Sequence, residues 1–121
     1  MKKKLLIADD SPLAHQLYTD HFGDEFEYLH AYDGADALLL AASEIPDVII
    51  LDLLMPLLDG RTLCGKLKKH PVTRGIKIIM VTAKDAQSDR IVGFEMGADD
   101  YIEKSRPLEM LARSIRKQLE S

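Results

Sequence analysis

The apolar residues fall into short unbroken runs that stop at polar groups able to do chemistry. Leu5-Leu6-Ile7-Ala8 runs into Asp9-Asp10, Val48-Ile49-Ile50-Leu51 into Asp52, and Ile78-Ile79-Met80-Val81 into Thr82. A shorter run, Tyr101-Ile102, leads through Glu103 to Lys104. Runs without alternation predict strands of a parallel sheet buried on both faces. Between them the period lengthens to that of helices. Ser11 can cap a first helix with Pro12 in its opening turn. Ala14, Leu17 and Tyr18 then share one face, until Gly23-Asp24 breaks the pattern. Phe26 to Ala31 reads as a second strand, Asp33-Gly34 as a turn, and Ala35 to Ser43 as a helix rich in Ala and Leu. After Asp52 come a loop from Leu53 to Asp59 and a third helix with Gly60, Leu63, Cys64 and Leu67 at helical spacing. His70-Pro71 ends it, and a strand from Ile76 to Val81 follows. A fourth helix is predicted from about Ala86 to Met96, stopping at Gly97, then a short strand near Asp100 to Ile102. The last helix carries Leu108, Leu111, Ala112, Ile115 and Leu119 along one stripe. Five strand–helix units predict an α/β domain over residues 1–121. Its open, doubly wound parallel sheet has helices on both faces.

Strands of such a sheet point the same way, so their C-terminal ends share one edge, and ligand sites gather there. Asp9, Asp10, Asp52, Thr82 and Lys104 are therefore expected in one cleft. Three carboxylates that close repel one another unless a cation lies among them. The pattern describes a hard-cation site beside a candidate phosphoryl acceptor. Each residue also has a plainer reading. An Asp closing a strand is often a helix cap or turn former. Asp9 and Asp10 could be surface acids, Thr82 a strand-end hydroxyl, and Tyr101 a packed aromatic. Cys64 lies on the apolar stripe of the third helix and reads as core. His15, His21, His30 and His70 show no metal spacing and read as structural or solvated.

Composition removes some functions. The net charge of −4 argues against direct binding to nucleic acid. A single cysteine excludes a disulfide framework and suits a reducing, cytoplasmic setting. Met1-Lys2-Lys3-Lys4 resembles the start of a signal peptide, but the apolar stretch behind it is too short. No apolar stretch approaches the ~18 residues a membrane span needs.

The acidic pair, Asp52, Thr82 and Lys104 stand with two local patterns, Asp52-x-x-Met55-Pro56-x-x-Asp59-Gly60 and Gly97-Ala98-Asp99-Asp100-Tyr101. On these residues the whole chain resembles the receiver domain of two-component response regulators. The resemblance implies a flavodoxin-like (βα)5 fold with strand order 2-1-3-4-5. It implies that Asp52 takes a phosphoryl group from a sensor histidine kinase or a phosphotransfer protein. Asp10, Asp52 and the Leu54 carbonyl would ligate Mg²⁺, with Asp9 acting through water. Lys104 would pair with Asp52 and then with the phosphoryl group, while Thr82 would hydrogen-bond a phosphoryl oxygen. Ala83 would leave room for that movement, and Tyr101 would be the switch aromatic whose ring turns inward. The output would be a changed surface on helix four, strand five and helix five, read by an output domain or target protein. A phosphorylation-dependent homodimer is a further partner state. The chain would catalyse only its own phosphorylation and dephosphorylation.

Two departures from the family pattern carry expectations of their own. Lys104 is followed by Ser105-Arg106-Pro107, where the family has Lys followed by Pro and a cis peptide, and the segment is one residue short. A cis bond costs about 2.5–4 kcal/mol without proline and about 0.5–1 before it. The Lys104–Ser105 peptide is therefore expected to be trans, with Arg106 near the cleft as a second cation. Leu54 and Lys84 occupy positions that flank the phosphoryl group in the family and tune its hydrolysis. Leu54 also stands with Leu53, Leu57 and Leu58 in an apolar loop that is either a partner surface or local packing.

Two rivals are weaker. A small phosphatase of aspartyl-phosphate type wants a second acid two residues after the nucleophile, where this chain has Leu54. A nucleotide or flavin binder wants a G-x-G-x-x-G or P-loop lysine motif, and neither is present. Ending with the last helix, the chain reads either as a stand-alone receiver or as one cut from a longer protein.

Overall fold

In the computed structural model, residues 1–82 and 97–120 are described. The predicted helix over 86–96, with Ala83 and Lys84 ahead of it, lies outside the described residues. The chain forms β1 (Lys3–Ala8), α1 (Pro12–Phe22), a 3-10 turn (Gly23–Glu25), β2 (Phe26–Ala31), α2 (Gly34–Glu44) and β3 (Val48–Asp52). It continues through α3 (Gly60–Lys69), β4 (Lys77–Thr82), β5 (Asp100–Glu103) and a C-terminal helix (Leu108–Glu120). All strands are parallel, in the order β2-β1-β3-β4-β5. The chain crosses from one half of the sheet to the other between β1 and β3, the switch point where such folds open a cleft.

The unbroken apolar runs follow from having helices on both faces. Successive strand residues point to opposite sides, so Leu5 and Ile7 enter one core while Leu6 and Ala8 enter the other. The first core joins Val48, Ile50, Ile79 and Val81 to Tyr18 and Phe22 of α1 and to Leu111 and Ile115 of the C-terminal helix. The second joins Ile49, Leu51, Ile78 and Met80 to Ala37 and Ala41 of α2 and to Leu63, Cys64 and Leu67 of α3. Each fully buried Leu or Ile contributes about 1.5–3 kcal/mol against the entropy of ordering the chain.

Helix α1 corrects one expectation. Its buried face is Ala14, His15, Tyr18 and Phe22, and Leu17 is exposed. Both sets fit a helical period, and packing chose the histidine. Helices α1, α2 and α3 begin on side-chain caps: Ser11 Oγ accepts from Ala14 N–H, Asp33 Oδ1 from Asp36 N–H and Asp59 Oδ1 from Thr62 N–H. Among the described residues no helix is long and apolar enough to cross a membrane.

Two glycines let the loop after β3 pack closely. A Cβ on Gly60 would lie 2.5 Å from the Asp52 carbonyl oxygen, so only glycine lets α3 start against the end of β3. A Cβ on Gly34 would collide with the backbone of Leu58, and Gly34 N–H donates to the Pro56 carbonyl at 3.1 Å. The loop turns at Leu57, which has a positive φ of 71°, with Leu58 N–H donating to the Pro56 carbonyl at 2.8 Å. That is a γ-turn on a non-glycine residue, a strained conformation held by its neighbours.

Candidate functional site

Sheet register sets the site. Ala8 lies opposite Leu51, Asp52 opposite Val81, and Thr82 opposite Glu103, so Asp9, Asp52, Thr82 and Lys104 emerge at one level of one edge. Backbone bonds fasten them there. Asp9 N–H donates to the Ala31 carbonyl at 3.1 Å, Leu53 N–H to the Val81 carbonyl at 3.3 Å, and Lys104 N–H to the Thr82 carbonyl at 2.7 Å. One carboxylate oxygen from each of Asp9, Asp10 and Asp52 lies within 4.8 Å of the others. Asp9 and Asp52 are buried, at 2% and 6% exposure, and Asp10 is exposed at the rim.

Lys104 reaches into this acidic group. Its Nζ lies 2.7 Å from Asp9 Oδ2 and 3.3 Å from Asp52 Oδ2. The expected pairing with Asp52 is present, and the shorter contact is to Asp9. The remaining oxygens have backbone donors: Ser11 N–H to Asp9 Oδ1 at 2.9 Å and Leu54 N–H to Asp52 Oδ1 at 3.2 Å. Burial raises the Asp52 carboxyl above the usual range, and the charge of Asp9 adds to this. Lys104 and the Leu54 N–H pull the other way without cancelling it. Burial works to lower the Lys104 ammonium, but its bond to Asp9 and the charges of Asp52 and Asp9 win, and the net shift is upward. The Tyr18 phenol, beneath the same cleft, is pushed up to about 12 by burial first and then by Asp9. A buried, acid-rich cleft of hard oxygen donors suits a cation such as Mg²⁺.

Residues 5–116 match the family model of the response regulator receiver domain. The chain belongs to that family. It is 40% identical over 117 residues to the response regulator PleD of Caulobacter vibrioides, a match that covers 96% of this chain and 26% of PleD. The chain thus spans about a quarter of the length of that relative. A putative response regulator from Chloroflexus aurantiacus superposes with a TM-score of 0.92 at 35% identity, over 100% of both chains. The BeF3-activated N-terminal receiver domain of Klebsiella pneumoniae RstA superposes with a TM-score of 0.86 at 31% identity, over 98% of this chain and 99% of that one. The strand order expected from the family resemblance is the one observed.

The receiver places most of the expected site residues together and several elsewhere. Thr82 is fully buried at the end of β4. Tyr101 is inside, in the core shared with α2 and α3. The Leu54 side chain is exposed, as is Leu57, while Leu53 and Met55 are buried and Leu58 half-buried. The apolar loop therefore splits between packing and surface. No cis peptide occurs among the described residues, so Lys104–Ser105 is trans as expected. Arg106 is not drawn to the acidic group; its guanidinium turns to Glu103 at 3.8 Å. Lys84 lies outside the described residues. Cys64 is core, and burial pushes its thiol up to about 11.

Two residues were not legible as part of the site from sequence. Gly34 showed only as a turn, because the Leu58 backbone that requires it is remote in sequence. His15 was one of four unassigned histidines. It is buried, with Nε2 at 2.8 Å from the Asp9 carbonyl oxygen. The signal available was its position four residues after Ser11, on the side of α1 that Ala14 and Tyr18 also occupy.

Proposed function

We propose that this receiver accepts a phosphoryl group on Asp52 from a phosphohistidine of a sensor histidine kinase or phosphotransfer protein, in the cytoplasm, and passes the change to an output domain or target protein. In the transfer an Asp52 carboxylate oxygen forms a bond to phosphorus while the bond from phosphorus to the imidazole nitrogen breaks. The imidazole leaves with that electron pair and takes up a proton. The observation that carries the reading is Asp52 itself. It is a buried carboxylate at the switch point of the sheet, held by the Leu54 N–H and set beside Asp9, Asp10 and the Lys104 ammonium. The Leu54 contact occupies Oδ1 and Lys104 lies by Oδ2, which orients the carboxylate for attack.

Lys104 then donates to a phosphoryl oxygen as charge leaves the Asp52 carboxylate, and the Thr82 hydroxyl donates to another. Mg²⁺ would be held by Asp10, Asp52 and the Leu54 carbonyl, and when bound it neutralises charge on the transferring oxygens. Asp9, the more deeply buried of the two and the more closely held by Lys104, at 2.7 Å against 3.3 Å for Asp52, would act on it through water. Tyr101 would report the movement of Thr82 to the output face, which includes β5 and the C-terminal helix. A receiver is a signalling domain rather than a conventional enzyme, and Leu54 stands where a phosphatase of this chemistry needs an acid.

Incubation with acetyl phosphate and Mg²⁺ tests the assignment. The native chain should gain one phosphoryl group by intact mass, and Asp52→Asn should gain none. Equal labelling of the two would overturn it.

A further inference from the structure

Every polar group of Asp9 is occupied. Its N–H donates to the Ala31 carbonyl, one carboxylate oxygen accepts from Ser11 N–H and the other from Lys104. The fourth group, the carbonyl, faces His15 Nε2 at 2.8 Å. A carbonyl can only accept, so Nε2 must carry a proton. His15 is 3% exposed, and a buried N–H without an acceptor would be costly. The bond is therefore made by this nitrogen and in this direction.

The other ring nitrogen is fixed as well. His15 Nδ1 lies 2.7 Å from His30 Nδ1, and the two can share one proton only. With His15 neutral and protonated at Nε2, its Nδ1 is bare and His30 Nδ1–H donates to it. The opposite arrangement places a cationic imidazole in a buried site. Burial, then His15, lowers the His30 imidazole from its ordinary value, which favours the neutral ring the first arrangement needs. Tyr32 stacks on His15 with ring centroids 4.1 Å apart and an interplanar angle of 22°, closing the outer face.

We infer that His15 is a positioning residue for the acidic cleft: its Nε2–H, in a tautomer set by His30, holds the Asp9 carbonyl and so fixes the turn at which Asp9 points inward and Asp10 outward. The inference rests on the proposed Mg²⁺ and phosphoryl role of that cleft. The turn has no helix or strand of its own between Ala8 and Pro12, and the imidazole spans it from α1. Supporting groups of this kind typically change metal affinity about 10-fold or more when removed.

The test uses Mg²⁺ titration by NMR of the native chain, His15→Phe and His15→Gln, with circular dichroism as a check of folding. Phe keeps a ring for Tyr32 to stack on but removes the donor. Gln places an amide N–H2 near the position of Nε2. The dissociation constant should rise about 10-fold in His15→Phe, and Gln should recover most of the loss. A purely structural role would not be rescued by the polar, non-aromatic residue. Native-like affinity in His15→Phe, or equal losses in both folded variants, overturns the inference while leaving the function reading intact. Failure of the native chain to bind Mg²⁺ overturns the function reading and this inference with it. Nitrogen-15 shifts of the histidine rings decide the tautomer even where His15→Phe does not fold. His15 should be protonated at Nε2 and bare at Nδ1, and the reverse tautomer sinks the assignment.

Discussion

Lys68 and Lys104 both reach aspartates at strand ends, Asp99 ahead of β5 for one and Asp9 and Asp52 at the ends of β1 and β3 for the other, and the two sites differ in how charge is balanced. Lys68 Nζ donates to the Ile76 carbonyl at 2.8 Å, the Arg74 carbonyl at 3.3 Å and Asp99 Oδ2 at 3.0 Å. An ammonium has three N–H donors, and here each has an acceptor. Asp99 Oδ2 also accepts from Ile78 N–H at 2.7 Å. One cation meets one anion, and the group ties the end of α3 to the start of β4 and β5. Lys104 instead meets Asp9 and Asp52, with Asp10 at the rim. One ammonium stands against three carboxylates. The balanced site is finished by its own chain and does structural work. The unbalanced one holds an excess of negative charge close together, which is unfavourable until a cation enters. The proposed function rests on that imbalance.

The largest expected effect comes from removing the lysine of the unbalanced site. Lys104→Met should slow phosphorylation by acetyl phosphate about 100-fold, the scale of losing one donor to a developing oxyanion. It should also strengthen Mg²⁺ binding, because a competing cation has left the carboxylates. Unchanged labelling kinetics would place Lys104 with Lys68 as a structural residue.

A smaller effect concerns the lifetime of the phosphorylated form. Hydrolysis needs a water in line with the Asp52–phosphorus bond, and Leu54 cannot orient it. Lys84 two positions after Thr82 would steady a phosphoryl oxygen. After removal of phosphodonor, in Mg²⁺ at neutral pH, decay should take minutes to hours. Leu54→Asn with Lys84→Glu should shorten it. A half-life of seconds in the native chain, or no acceleration in the double variant, would separate these positions from rate control.

Smaller again is the difference within the acidic pair. Asp9 has both oxygens committed, whereas Asp10 sits at the exposed rim. Mg²⁺ affinity should fall more in Asp10→Asn than in Asp9→Asn by titration, and the reverse order would exchange their roles.

The two lysine sites also show what the sequence made legible. Strand runs ending in Asp9, Asp52 and Thr82 revealed which residues meet at one edge because a parallel sheet gathers its C-terminal ends, and the short reach of those residues leaves little freedom. The order of strands came from family likeness, since run lengths do not say which run lies beside which. Contacts that depend on remote backbone were hidden: Gly34 beneath Leu58, Lys68 among the carbonyls before β4, and His15 against Asp9. Hydropathy preferred Leu17 to His15 for the inner face of α1, because it does not register that a carbonyl at the site needs a donor. Arg106 had an acid three residues earlier in Glu103, and local pairing decided its direction.

The imbalance is tested most directly by equilibrium unfolding of the native chain, Asp52→Asn and Asp99→Asn, without Mg²⁺ and across pH. A carboxyl whose folded pKa is raised binds its proton more tightly folded than unfolded, so its ionised form destabilises the fold. At neutral pH, Asp52→Asn should therefore be more stable than the native chain. That advantage should fade as pH falls through the raised pKa of Asp52. Asp99→Asn should be less stable by about 2 kcal/mol, a partly exposed instance of breaking an ion pair that leaves Lys68 without its anion. Opposite signs are the predicted result. Loss of stability in both variants would mean that Asp52 and Lys104 form a structural pair like Asp99 and Lys68, and would contradict the account.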